Sequence, residues 1–499
     1  MSNQAKPVNG DVPLYSSSSP DVPLACELLR SIRPAQTLSP GSAAYSLARY
    51  GLWSTTQSEI QPACIFQPES AADVSLALII LQQTRCPFAV KSGGHGRYAG
   101  ESTIENGVLI GLARLDQITV AEDSEAVVLG PGNRWLSVYA ALEPMGLIVV
   151  GGRDADVGVG GFLLGGGISF LSSAHGWASE NIEAFEVVLG NGAIRTASAT
   201  ENPDLYRALR GGGGNFGIVT AFTLKAYPYN GMWGGMRANS WEDTKELLAA
   251  FVEYGHNSPQ DPRTSLVLNH SAVQGQWTWY NDLEHCDPMD EAPELLKRVM
   301  RIPPLLDETK RTSLSTLTLE LASHSARGFR NSYWVLCTKL DLYMLEFYVD
   351  TFVAECSKLF SFEGFNPAGD IQVITSGMLS AMKNKGGNVL GLQNTTEPLL
   401  LFNPALRWTN PAHDTEIKEL MHGAMKMVEA EAMRRGLQTD FLYMNYASEY
   451  QDPVKGYGAE QFKFMEEVAS KYDPNGVFQT LRASGFKLRG APVSKDRKF

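Results

Sequence analysis

The chain has 499 residues, of which 44% are hydrophobic and 19% charged, so it can bury more core than one simple domain needs. Its 42 Lys and Arg residues stand against 54 Asp and Glu residues, giving a formal charge of −12. An acidic protein without basic runs is a poor binder of nucleic acid or of an anionic membrane. No apolar run reaches the ~18 residues of a transmembrane helix. A soluble, cytoplasmic protein with two domains or interlocked subdomains is therefore expected.

The N-terminal residues 1 to about 20 are polar and lack the basic segment and apolar core of a secretory signal. We expect them to form a flexible leader. The cysteines show neither CxxC nor metal-ligand spacing, so no metal site is expected and none of them needs to form a disulfide. They are Cys26, Cys64, Cys86, Cys286, Cys337 and Cys356.

The first ordered part of the chain alternates apolar strands with helices. Residues 61–68 form a strand closed by proline, and Ser70 followed by Asp73 is typical of a helix N-cap before the apolar run 74–81. This alternation is typical of an α+β or α/β unit. Further elements are predicted as strands at 87–90, 108–112, 126–130 and 147–150, and as a helix from Arg134 to Glu143.

The strand at 87–90 leads into Lys91–Gly100, a loop of little more than backbone that contains one imidazole, His95. Glycines let the main chain approach a ligand, and successive N–H groups can form an anion site. A His in such a loop can be a ligand, a base or a nucleophile towards an electrophilic cofactor. Taken alone, a glycine-rich turn with a satisfied His is the simpler interpretation.

Two further glycine clusters follow at 151–167 and 211–217, separated by a predicted β-hairpin that turns at Asn191–Gly192. Gly212 to Gly217 spells GxGxxG, but a predicted helix precedes it and a predicted strand follows it. A nicotinamide-dinucleotide fingerprint needs the opposite order, so a Rossmann site is not expected. A phosphate site built from several glycine loops remains open, because phosphates need only converging N–H groups.

From about residue 232 to 440 glycine becomes rarer and aromatic residues more frequent, which indicates a second domain of sheet and helices. An aromatic-rich sheet can line a substrate pocket, but a core face explains most of these residues. Asp414 to Arg435 is predicted to be an amphipathic helix closed by Gly436. In the tail, residues 441–446 are predicted to end a strand, and 461–471 to form a helix.

The glycine clusters and the tail together resemble the FAD-linked oxidases of the vanillyl-alcohol-oxidase and PCMH type. The likeness is greatest to the berberine-bridge-enzyme-like branch in its fungal secondary-metabolism form, and it spans about residues 57 to 490. The segments that carry it are Ser92-Gly93-Gly94-His95, Val157–Gly161 with Gly165–Gly167, Gly211–Val219, Tyr443–Tyr446 and Tyr472–Phe478.

This resemblance implies an α+β fold in which a PCMH-type FAD-binding domain, made of an N-terminal part and the C-terminal tail, carries an inserted sheet-and-helix substrate domain. The implied division of the chain is 1–56 for the leader and an N-terminal helical segment, 57–228 for the FAD-binding domain, 229–440 for the substrate domain, and 441–499 for the part that completes the FAD-binding domain.

In this family the His of the SGGH motif is the covalent flavin anchor, which makes His95 a tether rather than a base. Loops 92–96 and 156–161 would donate N–H groups to the pyrophosphate, and Asn445 would lie near the isoalloxazine. The cofactor-binding residues implied are Ser92, Gly93, Gly94, His95, Gly96, Asp154, Val157, Gly158, Gly160, Gly161, Asn181, Ile182, Gly217, Val219 and Asn445.

One position departs from the bicovalent members of the family, which carry a Cys in the second glycine loop. That position is Asp154 here, and a carboxylate cannot form the thioether, so a single covalent bond through His95 is expected. Val157 occupies the position of the family's oxygen-access residue. Its small side chain favours an oxidase that reduces dioxygen to hydrogen peroxide.

The expected reaction moves a hydride from a polyketide, alkaloid or terpenoid-like molecule to flavin N5 while a base removes a proton. Tyr443 and Tyr446 are the candidate bases, although each could instead pack on the flavin ring. Berberine-bridge enzymes use a Glu from the middle domain, and residues 386–389 and 393–397 offer no clear counterpart. His175 and His413 are expected to lie at the surface or behind the site.

Two alternatives remain: a non-redox cyclase or pericyclase that uses FAD as a scaffold, and a flavin-binding protein without catalysis. The chain is expected to be a monomer or a weak oligomer.

Overall fold

The computed structural model describes residues 20–385 and 387–492. The predicted flexible leader lies, except for its last residue, outside them. The strands are β1 (Thr37–Leu38), β2 (Cys64–Phe66), β3 (Phe88–Lys91), β4 (Val108–Gly111), β5 (Ile118–Val120), β6 (Ala126–Leu129), β7 (Leu147–Ile148), β8 (Ile182–Val188), β9 (Ile194–Ser198), β10 (Ile218–Lys225), β11 (Tyr227–Pro228), β12 (Met232–Asn239), β13 (Thr264–Val273), β14 (Gln276–His285), β15 (Pro304–Asp307), β16 (Lys310–Thr312), β17 (Arg330–Tyr333), β18 (Leu336–Lys339), β19 (Asn366–Ile374) and β20 (Leu399–Trp408).

The helices connect and cover these strands. They are α1 (Val22–Ile32), α2 (Ala43–Tyr50), α3 (Thr55–Ser58), α4 (Ala71–Gln83), α5 (Trp135–Leu142), α6 (Val159–Leu164), α7 (Ser172–His175), α8 (Pro203–Leu209), α9 (Thr244–Asn257), α10 (Lys297–Met300), α11 (Leu314–His324), α12 (Leu342–Cys356), α13 (Ser376–Asn384), α14 (Asp414–Arg435), α15 (Pro453–Gly456), α16 (Ala459–Tyr472) and α17 (Val477–Thr480).

A small sheet in the N-terminal part has the order β1-β2-β4-β3, with β2, β4 and β3 parallel. These three strands are almost wholly buried, as parallel strands covered on both faces must be. Strand β3 ends at Lys91, so it delivers the chain directly into the first glycine loop.

A second, antiparallel sheet has the order β5-β6-β10-β8-β9. The predicted hairpin is confirmed, because Val188 of β8 pairs with Ile194 of β9 across a turn in which Gly192 has φ +83°. Helix α8 precedes the third glycine cluster and β10 follows it. This order confirms the reason for rejecting the dinucleotide fingerprint at Gly212–Gly217.

The third large sheet has nine strands, all between Met232 and Trp408, along the path β15-β12-β14-β13-β19-β20-β17, with β16 beside β12 and β18 beside β20. Apolar residues of β13, β14, β19 and β20 pack with α9, α12 and α14 in one core cluster. Because side chains alternate along a strand, the opposite face presents another set of residues, and these line the cavity described below.

Helix prediction from periodicity succeeded in the C-terminal part of the chain. Helix α14 has the predicted bounds, and Gly436 ends it in the left-handed conformation, where a residue without Cβ is favoured. Helix α16 contains the predicted helix and is longer at both ends.

The strand predicted to end within residues 441–446 is wrong. The backbone at Phe441–Tyr443 joins no sheet, and Met444–Tyr446 forms a 3₁₀ turn. This segment packs closely on a glycine loop instead: a Cβ on Gly165 would lie 2.0 Å from Oδ1 of Asn445. The apolar and aromatic side chains that suggested a strand are therefore buried by packing rather than by sheet pairing.

Cys26 of α1 and Cys64 of β2 form a disulfide bond, which the scattered cysteines gave no reason to expect. Such bonds are uncommon in reducing compartments, so the bond does not favour the cytoplasmic location expected from the sequence. Among residues 20–385 and 387–492, no helix combines the length and apolarity needed to cross a membrane.

Candidate active site

A single cavity of about 720 Å³ connects the glycine loops with the nine-stranded sheet. Fifteen of the seventeen residues proposed from the sequence line it. These are Ser92, Gly93, Gly94, His95, Gly96, Asp154, Val157, Gly158, Gly160, Gly161, Gly217, Val219, Tyr443, Asn445 and Tyr446.

The other two, Asn181 and Ile182, are not brought to the cavity wall. The Asn181 amide donates to the carbonyls of His175 and Trp177, and its oxygen accepts from Tyr227 and Lys385. Asn181 therefore ties segments of the fold together. The ring of His175 packs against Tyr227, and neither His175 nor His413 lines the cavity.

The first two glycine loops meet backbone to backbone. A Cβ on Gly93 would lie 2.5 Å from Cα of Gly158, and a Cβ on Gly158 would lie 2.3 Å from the nitrogen of Gly93. Ser92 fastens the contact, because its Oγ donates to the Pro131 carbonyl and accepts from the Gly160 N–H at 3.1 Å. This end of the cavity is therefore walled largely by main chain, which is why glycine is needed there.

His95 lies in this wall with its ring stacked on Trp53, the ring centroids 4.2 Å apart and the planes 12° from parallel. Its buried Nε2 has no hydrogen-bond partner in the described part of the chain, and Oδ2 of Asp154 is 3.8 Å away, too far for a hydrogen bond. Burial and the charges of Arg134 and Arg97 lower the pKa of His95 to about 3. The imidazole is therefore neutral at physiological pH, which leaves it nucleophilic.

Asp154 lies beside this imidazole and accepts a hydrogen bond from the Asp156 N–H at 2.8 Å. Burial raises the pKa of its carboxyl group above the ordinary value, and the Asp156 hydrogen bond opposes that rise. Asp154 and His95 are thus close neighbours that share no hydrogen bond.

Tyr443 and Tyr446 pack edge to face, with ring centroids 4.8 Å apart. The Tyr443 hydroxyl accepts from the Ile168 N–H at 3.1 Å and from Asn445 Nδ2 at 2.9 Å, and burial raises the pKa of Tyr443 above its ordinary value. The Tyr446 hydroxyl accepts from Arg153 Nη2 at 2.7 Å and from Gln372 Nε2 at 3.0 Å. Only Tyr446 of the two accepts a hydrogen bond from a cationic side chain.

Polar residues of the nine-stranded sheet form the opposite wall, and sequence reasoning missed them. Asp282 lies on β14, Asp370 and Gln372 on β19, and Asn403 on β20. Burial raises the pKa of Asp282 to about 7 and that of Asp370 to about 6. The available signal was the alternation in residues 366–373, where polar or small residues at even positions interleave with Pro, Gly, Ile and Val.

Trp53 is a further wall residue that sequence reasoning missed. It comes from the N-terminal segment that the sequence division left outside the cofactor domain, and its indole N–H donates to the Ser325 carbonyl at 2.9 Å. Isolated aromatic residues carry no sequence signal for a role of this kind, because most of them belong to a core.

Comparison with known proteins agrees with this geometry. Residues 62–198 match the family described as the FAD binding domain. The chain is 35% identical over 469 residues to the FAD-dependent monooxygenase tpcD of Cochliobolus heterostrophus, covering 91% of this chain and 89% of that protein. The chain belongs to the FAD-linked oxidoreductases of the PCMH and vanillyl-alcohol-oxidase type.

Two further likenesses extend this assignment of the oxidoreductase. The bifunctional solanapyrone synthase of Alternaria solani is 30% identical over 477 residues, 94% of this chain and 89% of that protein. The berberine bridge enzyme of Eschscholzia californica superposes with a TM-score of 0.73 at 18% identity, covering 91% of this chain and 97% of that chain. At this level of identity the likeness shows a shared fold. The predicted family, α+β fold and flavin-dependent enzyme class are thus confirmed.

Two features of the cavity show that its residues can accommodate an FAD group. The main-chain wall at Gly93 and Gly158 has no room for side chains, which suits close approach of a nucleotide. The buried Nε2 of His95 lacks a partner among the residues that the structure describes, and a buried polar atom without a partner calls for an explanation such as a bound group.

Proposed function

We propose that this oxidoreductase is an oxidase of a small secondary metabolite, with FAD held by one covalent bond to His95. The observation that carries the proposal is the cavity that joins His95 to the hydrogen-bonded Tyr446 phenol. The imidazole is neutral, and its Nε2 has no partner within residues 20–385 and 387–492. We further infer that residues 57–228 and 441–499 hold the cofactor and that residues 229–440 bind the substrate. The glycine loops on one side of the cavity and the β-strands on the other support this division.

The tether would be single because Asp154 occupies the position at which bicovalent relatives carry a Cys. The loops at 92–96 and 156–161 would hold the pyrophosphate through main-chain N–H groups. Asn445, whose amide is fixed by the Phe162 carbonyl at 3.0 Å, would border the isoalloxazine. Neutral His95 suits bond formation, because a protonated imidazole has no free electron pair.

Bound FAD would supply the two-electron chemistry, accepting a hydride from the substrate and passing both electrons to dioxygen, so that the substrate loses two hydrogens and one hydrogen peroxide forms. Tyr446 is the better placed base. Hydrogen bonds from Arg153 and Gln372 to its oxygen would stabilise the negative charge that this oxygen must carry before it takes the substrate O–H or N–H proton. Tyr443, held by two neutral donors, would position the ring of Tyr446.

Val157 would leave the oxygen path open. It lines the cavity beside Gly158, and a larger side chain at this position would narrow the space next to the glycine wall. Stopped-flow reoxidation of the photoreduced holoenzyme in aerated buffer tests the proposal without the substrate. Reoxidation much faster than that of free flavin is expected, and a rate no greater would indicate a dehydrogenase.

Oxygen labelling separates an oxidase from a monooxygenase, the activity in the name of the relative tpcD. With ¹⁸O₂ and the substrate accumulated by a deletion strain, an oxidase places the label in hydrogen peroxide. Label in the organic product would show monooxygenation and would contradict the proposal.

A non-redox cyclase is the second candidate, favoured by the likeness to a synthase named as bifunctional. Anaerobic incubation with the substrate separates the two activities. Bleaching of the flavin shows oxidation, whereas product without bleaching shows cyclisation alone. Peroxide release would in turn exclude a flavin-binding protein without catalysis.

A further inference from the structure

Four polar side chains cross the sheet wall of the cavity in a row: Asp282 on β14, Asn269 on β13, Asp370 on β19 and Asn403 on β20. We call them the acid–amide row. Asn269 is paired in register with Asp370, and Asp370 with Asn403. Each acid accepts from one amide, Asp282 from Asn269 Nδ2 at 2.8 Å and Asp370 from Asn403 Nδ2 at 2.9 Å.

Three amide side chains on this wall each donate one hydrogen bond within the protein. The amide nitrogens of Asn269 and Asn403 bond to the acids, and that of Gln372 bonds to Tyr446. The amide oxygens of Gln372 and Asn403 have no hydrogen-bond partner among residues 20–385 and 387–492, although these residues are only 4% and 1% exposed. Because buried polar atoms are nearly always bonded, the wall offers acceptors to whatever fills the cavity.

The charges on this wall are also unbalanced. Among the described residues, one neighbouring guanidinium opposes Asp282 and Asp370, that of Arg153, which already bonds to Tyr446. Buried carboxylates are costly unless a cation accompanies them. Burial accordingly raises the pKa of Asp282 to about 7 and that of Asp370 to about 6, whereas a bound cation would stabilise their ionised forms. Burial raises the pKa of the neighbouring Glu284 well above its ordinary value, so its carboxyl group is not counted as a charge here.

We propose that the acid–amide row binds a protonated amine of the substrate. An ammonium group only donates hydrogen bonds, so it matches a wall on which acceptors remain and supplies the missing positive charge. A hydroxyl group is a poorer match, since it carries no charge to offset that of the acids. The inference rests on the proposed function to the extent that the substrate enters this cavity.

The position of the row relates this recognition to the chemistry. Gln372 lies two residues after Asp370 on the same strand and face, and it contacts Tyr446 at 3.0 Å. An amine held by Asp370 is therefore separated from the proposed base, Tyr446, by the Gln372 side chain. This places the amine-bearing end of the substrate at the sheet and the oxidised carbon towards the glycine loops, where the flavin is proposed to bind.

Calorimetric titration of the purified holoenzyme with matched probe pairs tests the proposal. The pairs are phenethylamine with phenethyl alcohol, and cyclohexylmethylamine with cyclohexylmethanol. At about pH 8 we expect each amine to bind at least about tenfold more tightly than its alcohol, a charge-assisted advantage. Asp370→Asn and Asp282→Asn should each remove most of that preference.

Asp350→Asn is the matched control, because it removes one acid from an exposed position of α12 outside the cavity and should keep the preference. Equal or tighter binding of the alcohols overturns the proposal, as does retention of the amine preference in both cavity variants. Absence of amine binding up to about 10 mM also overturns it. Circular dichroism verifies that each variant folds, and the second cavity variant serves if one does not.

The titration measures the heat of binding and not the absorbance of the flavin, so its outcome does not depend on whether the protein is an oxidase. Protein that purifies without flavin, or a flavin that reoxidises slowly, would count against the oxidase while the amine preference stood. A normal flavin with no amine preference would overturn the acid–amide row alone.

Discussion

The two walls of the cavity are built on opposite principles. At the glycine wall the main chains of Gly93 and Gly158 touch, and side chains are excluded by steric contact. At the sheet wall, side chains from β13, β14, β19 and β20 meet, and their charges and hydrogen bonds define the surface. The first wall suits a cofactor common to many relatives, and the second can change with the substrate by substitution at a few strand positions.

The largest effect is expected at the one glycine-loop side chain that we propose as the tether. His95→Ala should abolish covalent flavin completely, because Asp154 cannot form a thioether in its place. Mass spectrometry of a tryptic digest checks this through the flavin adduct on the peptide that contains residue 95. An adduct that persists in the variant, or a second linked peptide in the native protein, would show that the glycine wall holds its cofactor differently.

Steric exclusion at the glycine wall predicts the next largest effect. Gly158→Ala should lower the free energy of unfolding by more than about 3 kcal/mol, because the new methyl group overlaps backbone that cannot move aside. Gly423→Ala is the control: a Cβ there meets nothing within 4 Å, and in helix α14 it should stabilise by about 0.5–1 kcal/mol. Urea or thermal unfolding measures both, and a Gly158 variant as stable as the native protein would contradict the packing argument.

Tyr446 connects the two walls and should dominate the chemistry. Tyr446→Phe should slow anaerobic flavin reduction by the substrate about 10²- to 10⁴-fold, the usual loss for a general base. Tyr443→Phe should cost less than about tenfold if Tyr443 only positions its neighbour. Stopped-flow absorbance measures both rates, and a larger loss for the Tyr443 variant would exchange the two roles.

The smallest effect is electrostatic and belongs to the sheet wall. Burial raises the pKa of Asp282 to about 7, so between about pH 4 and pH 7 the folded protein holds this proton more tightly than the unfolded chain. Stability therefore falls as pH rises through this window and is level above it. Asp282→Asn should raise the melting temperature more at about pH 8 than at about pH 5, because the substitution removes a buried carboxylate that the folded protein carries only at the higher pH.

The charged groups around Asp282 are Arg153, Asp370, Glu320 and Glu284, and all remain in the variant. Asp350→Asn again provides the control, with little change expected at either pH because the side chain is exposed. An equal gain for Asp282→Asn at both pH values would show that the carboxyl group is no electrostatic cost to the fold.

Sequence patterns predicted well what depends on neighbouring residues. Asp414–Arg435 was predicted at its observed bounds, because apolar periodicity and a terminal glycine are local signals. The glycine clusters around His95 and Gly158 also indicated the cavity, because positions with no room for a Cβ atom must be glycine and can be recognised in the sequence. The same locality misled at 441–446, where apolar residues resemble a strand whether a sheet or a loop buries them.

The tertiary structure alone decided which distant residues meet. Asp282, Asp370 and Asn403 are separated by dozens of residues and become neighbours only through strand register. Trp53 reaches His95 from the N-terminal segment, and Asn181 turns away from the cavity to bind Tyr227 and Lys385. The sequence by itself determined the class of cofactor site, because glycines mark the positions where the backbone must approach a ligand or another backbone closely. The fold decided the substrate wall, because that wall depends on contacts between strands far apart in the chain.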